Sequence, residues 1–286
     1  MAGNVPVFDS VGGAFAYVRE NARFIAIVAG AGAAAVTIIG ALTMAVPAVG
    51  LATTMLSTVA QAFAYAALTA AALFGAGDAR RRWPRDGGRV WAAMAIIGFF
   101  LFIVMFVASM IASIVLFAGP MAAYVDELQG AGSDNAAVMR IMMQFVEANP
   151  LPILFVTLFF SVIWMLLTSR FYLAAPASVD KQRILTFETW KWTKGAMLPI
   201  TGARLLLLLP ANIFVGAISH LVGRAFGLNT FDPNTAAAVA QSNPAGYLVF
   251  IFIAGFLQLA LYSSLEAGLS SYLYRGLKPA ETPPAA

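Results

Sequence analysis

The polar residues that could do chemistry are few, and they lie inside otherwise apolar segments. Arg170, Arg204 and Glu266 carry charges there, and Asn212 and Gln258 carry side-chain amides. An ionisable group in an apolar segment is a candidate functional residue, because burying its charge in lipid is costly. Glu266 is the sole acidic residue within these segments of the sequence. A pair of carboxylates for general acid and base catalysis is therefore not expected.

Other catalytic and metal-binding patterns are also missing from the sequence. The chain has no cysteine and one histidine, His220, which excludes thiolate sites, disulfides and multi-histidine metal sites. Ser219 and His220 are sequence neighbours, and neighbours on a helix do not face each other. The glycine-rich stretch GAGAAAVTIIG lacks the Lys-Ser/Thr pair of a phosphate-binding loop. We therefore predict no catalytic residue, no metal site and no cofactor.

The composition indicates the solvent in which these residues lie. Of the 286 residues, 61% are hydrophobic and 10% are charged, whereas a soluble domain has about a quarter charged residues. The formal net charge of +4 comes from basic residues between the apolar segments, so it does not indicate a nucleic-acid partner. The sequence predicts an integral membrane protein.

The apolar segments are long enough to cross a membrane, which takes about 20 residues of helix. Six qualify: about 24–47, 50–76, 90–119, 151–175, 197–223 and 246–274. They predict an all-α polytopic membrane protein built as three hairpins. The first segment is too long for the apolar part of a cleaved signal sequence, and we interpret it as a retained helix. Small residues in the first two segments predict a closely packed hairpin.

Basic residues indicate the orientation, because short cytoplasmic loops are enriched in Lys and Arg. They cluster on one predicted side, before the first span, in the loop DARRRWPRDGGR, in the loop KQRILTFETWKWTKG and after the last span. The other side carries only Arg140 and Arg224 together with five acidic residues. We predict that both termini are cytoplasmic. The domains are then an amphipathic helix in 1–22, a membrane domain in 23–276 and a flexible tail in 277–286.

Segments near the ends of the spans predict caps and interfacial helices. Asn149–Pro150 and Asn243–Pro244 combine a good N-cap with a proline at the first helical position. Asp232, before Pro233, predicts a similar cap. One face of the first helix contains Phe8, Val11, Phe15 and Val18, and TFETWKWTKG alternates aromatic residues with lysines. Such helices are typical of the headgroup region.

The three charged residues are predicted to lie at one depth. Counting ~1.5 Å per residue from the outer ends of their spans places Arg170 and Glu266 near the cytoplasmic edge of a ~30 Å hydrocarbon core. Arg204 reaches the same level if its helix begins near Gly202, or by extending its side chain. Two interpretations stay open: an ion-pair lock between spans four, five and six, and a net-positive pocket for a lipid phosphate.

The two amides define a second candidate site. Pro210 predicts a kink in the fifth span, and Gln258 lies at a depth comparable to that of Asn212. The pair could form an interhelical hydrogen bond worth about 1 kcal/mol. Alternatively, it could line the midplane site of a transporter, where broken helices are common.

Two stretches carry a resemblance to a known family. FAYVRENARF contains Tyr17, Arg19 and Asn21, and SRFYLAAPASVDKQRILTFETWKWTKG contains Arg170 and Pro176. The chain resembles YciC-like bacterial six-helix membrane proteins and the membrane domain attached to some glycerophosphoryl diester phosphodiesterases. The resemblance covers the membrane domain only and implies no diesterase activity, because the chain has no room for the catalytic barrel.

We expect a non-enzymatic protein of the bacterial inner membrane that associates with lipids, of which anionic ones are candidates, or serves as a partner or scaffold subunit. Its expected partners are membrane lipids, other membrane proteins or a second copy of itself, and not nucleic acid. The alternative is a small-solute transporter or channel that uses the fifth helix kinked at Pro210. A membrane enzyme is disfavoured by the lack of acid and base residues.

Overall fold

The computed structural model describes residues 6–230 and 233–279, and these are helical with no β-strand. Their α-helices are, in chain order, α1 Val7–Glu20, α2 Ala22–Ala45, α3 Gly50–Phe74, α4 Ala76–Ala118, α5 Val125–Ala131, α6 Asn135–Ala148, α7 Pro150–Arg170, α8 Ala174–Asp180, α9 Phe187–Trp192, α10 Met197–Ala225, α11 Pro233–Ser242, α12 Pro244–Leu257 and α13 Ser264–Leu277. A π-helix, Gln258–Ser263, joins α12 to α13. Asp232 and most of the predicted tail lie outside the described residues.

The prediction of an all-α polytopic membrane protein is confirmed. Six helical segments within the described ranges are long and apolar enough to cross a membrane: Ala22–Ala45, Pro47–Phe74, Ala76–Ala118, Pro150–Asp180, Met197–Ala225 and Pro244–Leu277. Each of them overlaps one of the six predicted spans. The predicted cap at Asn243 is also present, because its side-chain oxygen accepts from the Gly246 N–H at 3.0 Å. Asn149 instead donates its side-chain amide to the Phe145 carbonyl at 3.0 Å.

The loop predicted in DARRRWPRDGGR is wrong, because α4 begins at Ala76 and runs through it. Pro84 cannot donate a backbone hydrogen bond in a helix, but ion pairs stabilise the same turns. The Asp86 carboxylate lies 2.8 Å from the Arg89 guanidinium and 3.5 Å from that of Arg82, and its side chain is 1% exposed. These i, i+4 and i, i+3 ion pairs stabilise the helical turns that Pro84 destabilises.

Gly87, within the same stretch, has a packing role rather than a helix-breaking one. A Cβ at this position would lie 2.5 Å from the ring of Phe63 on α3. The Phe63 ring also meets the Trp83 ring edge-on, with 5.9 Å between centroids. The absence of a side chain at Gly87 therefore lets α4 approach α3 closely.

The chain divides into two compact units. One contains the described residues up to Ile96 and from Ser169 onward, and the other is Ile97–Thr168. In the first unit, α13 packs against α1, α3 and α8. The fully buried side chains at these contacts include Leu68, Leu173 and Tyr274.

Helix α1 packs against α13 and α10, although we predicted it only as an interfacial helix. Its buried residues are Ser10, Ala14 and Tyr17, one turn apart on a face that the sequence pattern did not indicate. The Tyr17 hydroxyl donates to the Leu68 carbonyl at 2.8 Å, and burial raises the pKa of that hydroxyl. Phe8, on the predicted face, is 79% exposed, so it can still contact lipid.

The second unit consists of the second part of α4, then α5, α6 and α7 up to Thr168. The Asp134 carboxylate caps α6 by accepting from the Ala137 N–H at 3.2 Å. Ile141 and Phe145 form the buried face of α6, whereas Met139 and Met143 are exposed. Exposed apolar side chains in this unit are expected for a surface that faces lipid.

Candidate functional sites

Glu266 lies near the start of α13, within the first unit. Its backbone carbonyl accepts a hydrogen bond from the Tyr172 hydroxyl at 3.5 Å. Its side chain lines a cavity of about 650 Å³ that is open on one side and lies between α2, α3, the first part of α4 and the sixth span. The carboxylate therefore faces an open cavity, since Met55, Thr58, Gln61, Trp91, Met94 and Ala95 in its lining are exposed.

The cavity has a mixed lining. Its polar and aromatic residues are Thr58, Gln61, Tyr65, Trp91, Gln258, Tyr262, Ser263 and Glu266. Its apolar residues are Val36, Met55, Ala62, Met94, Ala95, Gly255 and Leu259. A cavity with apolar walls and a few polar groups is the usual form of a small-molecule site.

Four of the lining residues, Gln258, Leu259, Tyr262 and Ser263, lie in the π-helix. Gly255, Gln258, Leu259, Tyr262 and Glu266 occupy positions i, i+3, i+4, i+7 and i+11 of the sixth span and all line the cavity. The turns between Gln258 and Ser263 are wider than α-helical ones, and such π-segments often occur at functional sites. The π-helix could not be predicted from the sequence, because the spacing of its apolar residues is also that of an ordinary α-helix.

Arg204 lies beside Glu266 but has other partners. Its guanidinium carbon is 4.8 Å from the centroid of the Tyr172 ring. Its Nη1 donates to the Ser169 hydroxyl oxygen at 2.8 Å, which also accepts from the Thr201 hydroxyl at 2.9 Å. The positive charge of Arg204 acts on Glu266 through space.

Arg170, at the end of α7, contacts α9 instead. Its guanidinium carbon lies 4.9 Å from the Trp190 ring centroid, and its Nη1 is 3.5 Å from the Trp190 carbonyl. Within the part of the chain that the structure describes, neither Arg170 nor Arg204 has a side-chain nitrogen within 4.0 Å of the Glu266 carboxylate. Arg170 and Arg204 thus each contact an aromatic ring, and neither forms the predicted ion pair with Glu266.

The two predicted amides occupy different surroundings. Gln258 lines the Glu266 cavity, whereas Asn212 is exposed on α10. Between these two described residues there is no hydrogen bond. Pro210 lies inside α10, which continues to Ala225.

A second cavity of about 620 Å³ is a groove between α2 and α3. Its walls are almost wholly apolar: Phe24, Ile27, Val28, Ala31, Gly32, Ala35 and Ile39 on α2, Leu56, Val59, Ala60, Phe63, Ala64 and Ala67 on α3, and Ala79 on α4. Arg80 and Trp83 close one end. The small residues that predicted a close hairpin do pack, since a Cβ on Gly32 would lie 3.2 Å from that of Ala64.

A smaller pocket of about 330 Å³ adjoins the basic end of the groove. It shares Phe24 and Arg80 with the groove, and Glu20, Asn21, Arg23 and Ala76 complete its lining. Two arginines and one glutamate give these side chains a net charge of +1. In the described residues neither arginine is in an ion pair. Ala76 is the first residue of α4, and the free N–H groups of a helix start favour an anion.

The sequence analysis did not identify this groove. The small residues and the arginines that line it are visible in the sequence, but we interpreted them as determinants of helix packing and of membrane topology.

The described residues contain no group of three or more His, Asp or Glu side chains arranged to hold a metal ion. No family model, curated protein or solved structure matches this chain.

Proposed function

We propose that this chain is a non-enzymatic integral membrane protein that binds an anionic phospholipid in the α2–α3 groove. An acyl chain would occupy the groove, and the phosphate would lie at Arg23 and Arg80. The observation that carries the proposal is the continuity between the apolar groove and the basic pocket, which share Phe24 and Arg80.

The dimensions of the groove suit an acyl chain. Its lining on α2 extends from Phe24 to Ile39, which is ~22 Å of helix at ~1.5 Å per residue. One leaflet contributes about 15 Å to the hydrocarbon core. An acyl chain that enters from the leaflet at the basic end could therefore lie along the groove over its whole length.

The electrostatics of the basic end suit a phosphate. Arg23 and Arg80 are both exposed, so they can reach a headgroup without losing an existing ion pair. A basic residue near an anionic leaflet contributes about 1 kcal/mol to the attraction. Glu20 opposes part of this attraction, which favours a ligand with a single phosphate over a more highly charged one.

We further propose that the protein resides in the inner membrane of a bacterium with both termini cytoplasmic. The basic loops support this orientation, and the YciC-like resemblance implies the same location. Helix α2 starts and α3 ends on the same side of their hairpin, so Arg23 and Arg80 would contact the cytoplasmic leaflet. A scaffold role toward another membrane protein or a second copy of the chain is compatible with this arrangement.

Native mass spectrometry of the intact protein, released from nanodiscs that contain phosphatidylglycerol and phosphatidylethanolamine, tests lipid binding. The test variant is Arg23→Gln/Arg80→Gln. The matched control is Arg81→Gln/Arg85→Gln, which removes the same charge from exposed residues of α4 that do not line the pocket. We expect the test variant to retain phosphatidylglycerol at least about threefold less than the control.

A groove variant, Ala35→Phe, separates lipid binding from simple charge attraction. It fills the apolar part of the site without altering charge, and it should also reduce retention of phosphatidylglycerol. Equal retention by wild type and both site variants would exclude the proposal. Retention that falls equally in the test and control charge variants would do the same, because it would indicate general attraction to the membrane.

The orientation can be tested with single cysteines, because the natural chain has none. Arg85→Cys lies in the exposed part of α4, and Gln129→Cys lies exposed in α5. In intact spheroplasts an impermeant maleimide should label Gln129→Cys and leave Arg85→Cys unlabelled until the membrane is opened. The reverse pattern would place the termini outside.

A further inference from the structure

We infer that the Glu266 cavity binds an organic cation, an ammonium group carried on a small apolar body. This site is separate from the α2–α3 groove, and the inference does not depend on lipid binding there. It follows from the charge, the aromatic lining and the size of the cavity.

The cavity lining carries an acidic side chain that has no basic partner within the lining. Glu266 is the sole acidic residue in the lining, and the lining includes no lysine or arginine. Within the described ranges the Glu266 carboxylate has neither an ion pair nor a hydrogen bond. Arg204, the nearby cation, stacks on Tyr172 and donates to Ser169. Because a partly buried carboxylate without a partner is costly, a cation in the cavity would be favoured.

The aromatic residues suit an ammonium group in particular. Tyr65, Trp91 and Tyr262 line the cavity together with Glu266. Aromatic faces attract cations, and several around one site are the usual way to recognise a quaternary ammonium. The Tyr65 hydroxyl forms a hydrogen bond with the Ser270 hydroxyl at 3.3 Å, which fixes the position of its ring.

The remaining lining sets the size and polarity of the ligand. The volume of about 650 Å³ lies within the usual range of small-molecule sites. Met55 and Met94 offer adaptable apolar contacts, and the amides of Gln61 and Gln258 can bind a polar substituent. A bare metal ion would leave most of this space unfilled, whereas an amine with an apolar body would fill it.

Three probes of nearly the same shape separate charge from size. Benzyltrimethylammonium is a cation, neopentylbenzene is its neutral carbon analogue, and phenylmethanesulfonate is an anion. Binding of radiolabelled benzyltrimethylammonium to the full chain in nanodiscs is measured by scintillation proximity, with the other two as competitors. Empty nanodiscs give the background. We expect saturable binding of the cation and at least tenfold weaker competition by the neutral and anionic probes.

The variant Glu266→Gln retains the shape of the side chain and removes its charge. We expect it to weaken binding of the cation by about tenfold or more, because the coulombic attraction between the carboxylate and the ammonium group is lost. The matched control, Glu127→Gln, removes an exposed carboxylate outside the cavity lining and should leave binding unchanged. Tyr262→Phe should also leave it nearly unchanged, whereas Tyr262→Leu should weaken it about threefold or more.

A filling variant gives an answer even if Glu266→Gln does not fold. Ala95→Phe projects a ring into the cavity and should abolish binding, whereas Ile96→Phe, at the adjacent exposed position outside the lining, should not. Saturable binding that survives in Ala95→Phe would overturn the inference. Equal binding by Glu266→Gln and wild type, or equal competition by all three probes, would overturn it as well.

Discussion

The guanidinium of Arg204 stacks on the ring of Tyr172, with 4.8 Å between the guanidinium carbon and the ring centroid. The hydroxyl of the same tyrosine donates to the Glu266 carbonyl. One aromatic residue thus contacts two of the residues for which the sequence suggested an ion pair. Stacking on an aromatic ring suits arginine, whose planar group is weakly hydrated, and it leaves the Glu266 carboxylate facing the cavity.

The arrangement predicts little energetic coupling between Arg170 and Glu266. A double-mutant cycle with Arg170→Ala and Glu266→Gln should give a coupling free energy within about 0.5 kcal/mol of zero, as for independent sites. A second cycle with Arg170→Ala and Trp190→Leu should give about 0.5–2 kcal/mol, because the stacked pair is lost. Both are measured as free energies of unfolding in mixed micelles. A coupling above about 1.5 kcal/mol in the first cycle would restore the ion-pair lock.

Gly268 is predicted to be essential for the docking of α1 on α13. A Cβ at this position would lie 2.9 Å from Tyr17 Cδ1 and 3.1 Å from the Ala14 Cα. Because the second contact is with backbone, it cannot be relieved by a rotamer change. Gly268→Ala should destabilise the protein by about 1–3 kcal/mol and increase tryptic cleavage at Arg19.

The control for this substitution lies in α1 itself. A Cβ on Gly12 would meet nothing within 4 Å, and alanine is favoured over glycine in a helix by about 0.8 kcal/mol. Gly12→Ala should therefore leave the thermal midpoint unchanged or raise it. A loss of stability equal to that of Gly268→Ala would show that the close contact is not the cause.

The buried carboxylate of Asp86 is predicted to stabilise the start of α4. Asp86→Asn should destabilise the protein by about 1–3 kcal/mol, because Arg82 and Arg89 lose their partner. The value is below that of a fully buried pair, since both arginine side chains are about a quarter exposed. Asp78→Asn, in the same helix at an exposed position, should change stability by less than about 0.5 kcal/mol. Comparable losses in the two variants would contradict this explanation.

A hydroxyl pair is predicted to stabilise the α2–α3 hairpin at the end away from Arg80. The Thr43 hydroxyl donates to the Thr53 hydroxyl at 2.7 Å, and the Thr53 side chain is buried. Thr53→Val should destabilise the hairpin by about 0.6–1.7 kcal/mol, the range for hydrogen bonds between helices in membranes. Thr54→Val, whose exposed hydroxyl bonds only within its own helix, serves as the control. An effect of Thr54→Val as large as that of Thr53→Val would argue against the interhelical bond.

The spans could be predicted from the sequence because length and apolar composition are set by the bilayer, whatever the helices contact. The start of α4 could not be predicted in this way. Pro84 and Gly87 indicate a loop, and the ion pairs at Asp86 and the contact with Phe63 outweigh them. Those interactions depend on which helix lies opposite, and local propensity carries no information about that.

The candidate sites show the same division between features that composition predicts and features that depend on contacts between helices. Composition alone identifies Glu266 as an acid within an apolar segment. It did not indicate the cavity, whose walls come from four separate parts of the chain. The α2–α3 groove was not predicted for a related reason. Small residues permit close packing on one side of a helix, but on another side the same small residues leave a groove.

The π-helix at Gln258–Ser263 also constrains how the length of the chain can vary. Helix α12 packs against α2, whereas α13 packs against α1 and α3, so the two halves of the sixth span are aligned to different neighbours. Removing one residue between them would turn one half by about 100° relative to the other. Substitutions in this segment should therefore be far better tolerated than single-residue deletions or insertions, and its residue count, more than its composition, should be under selection.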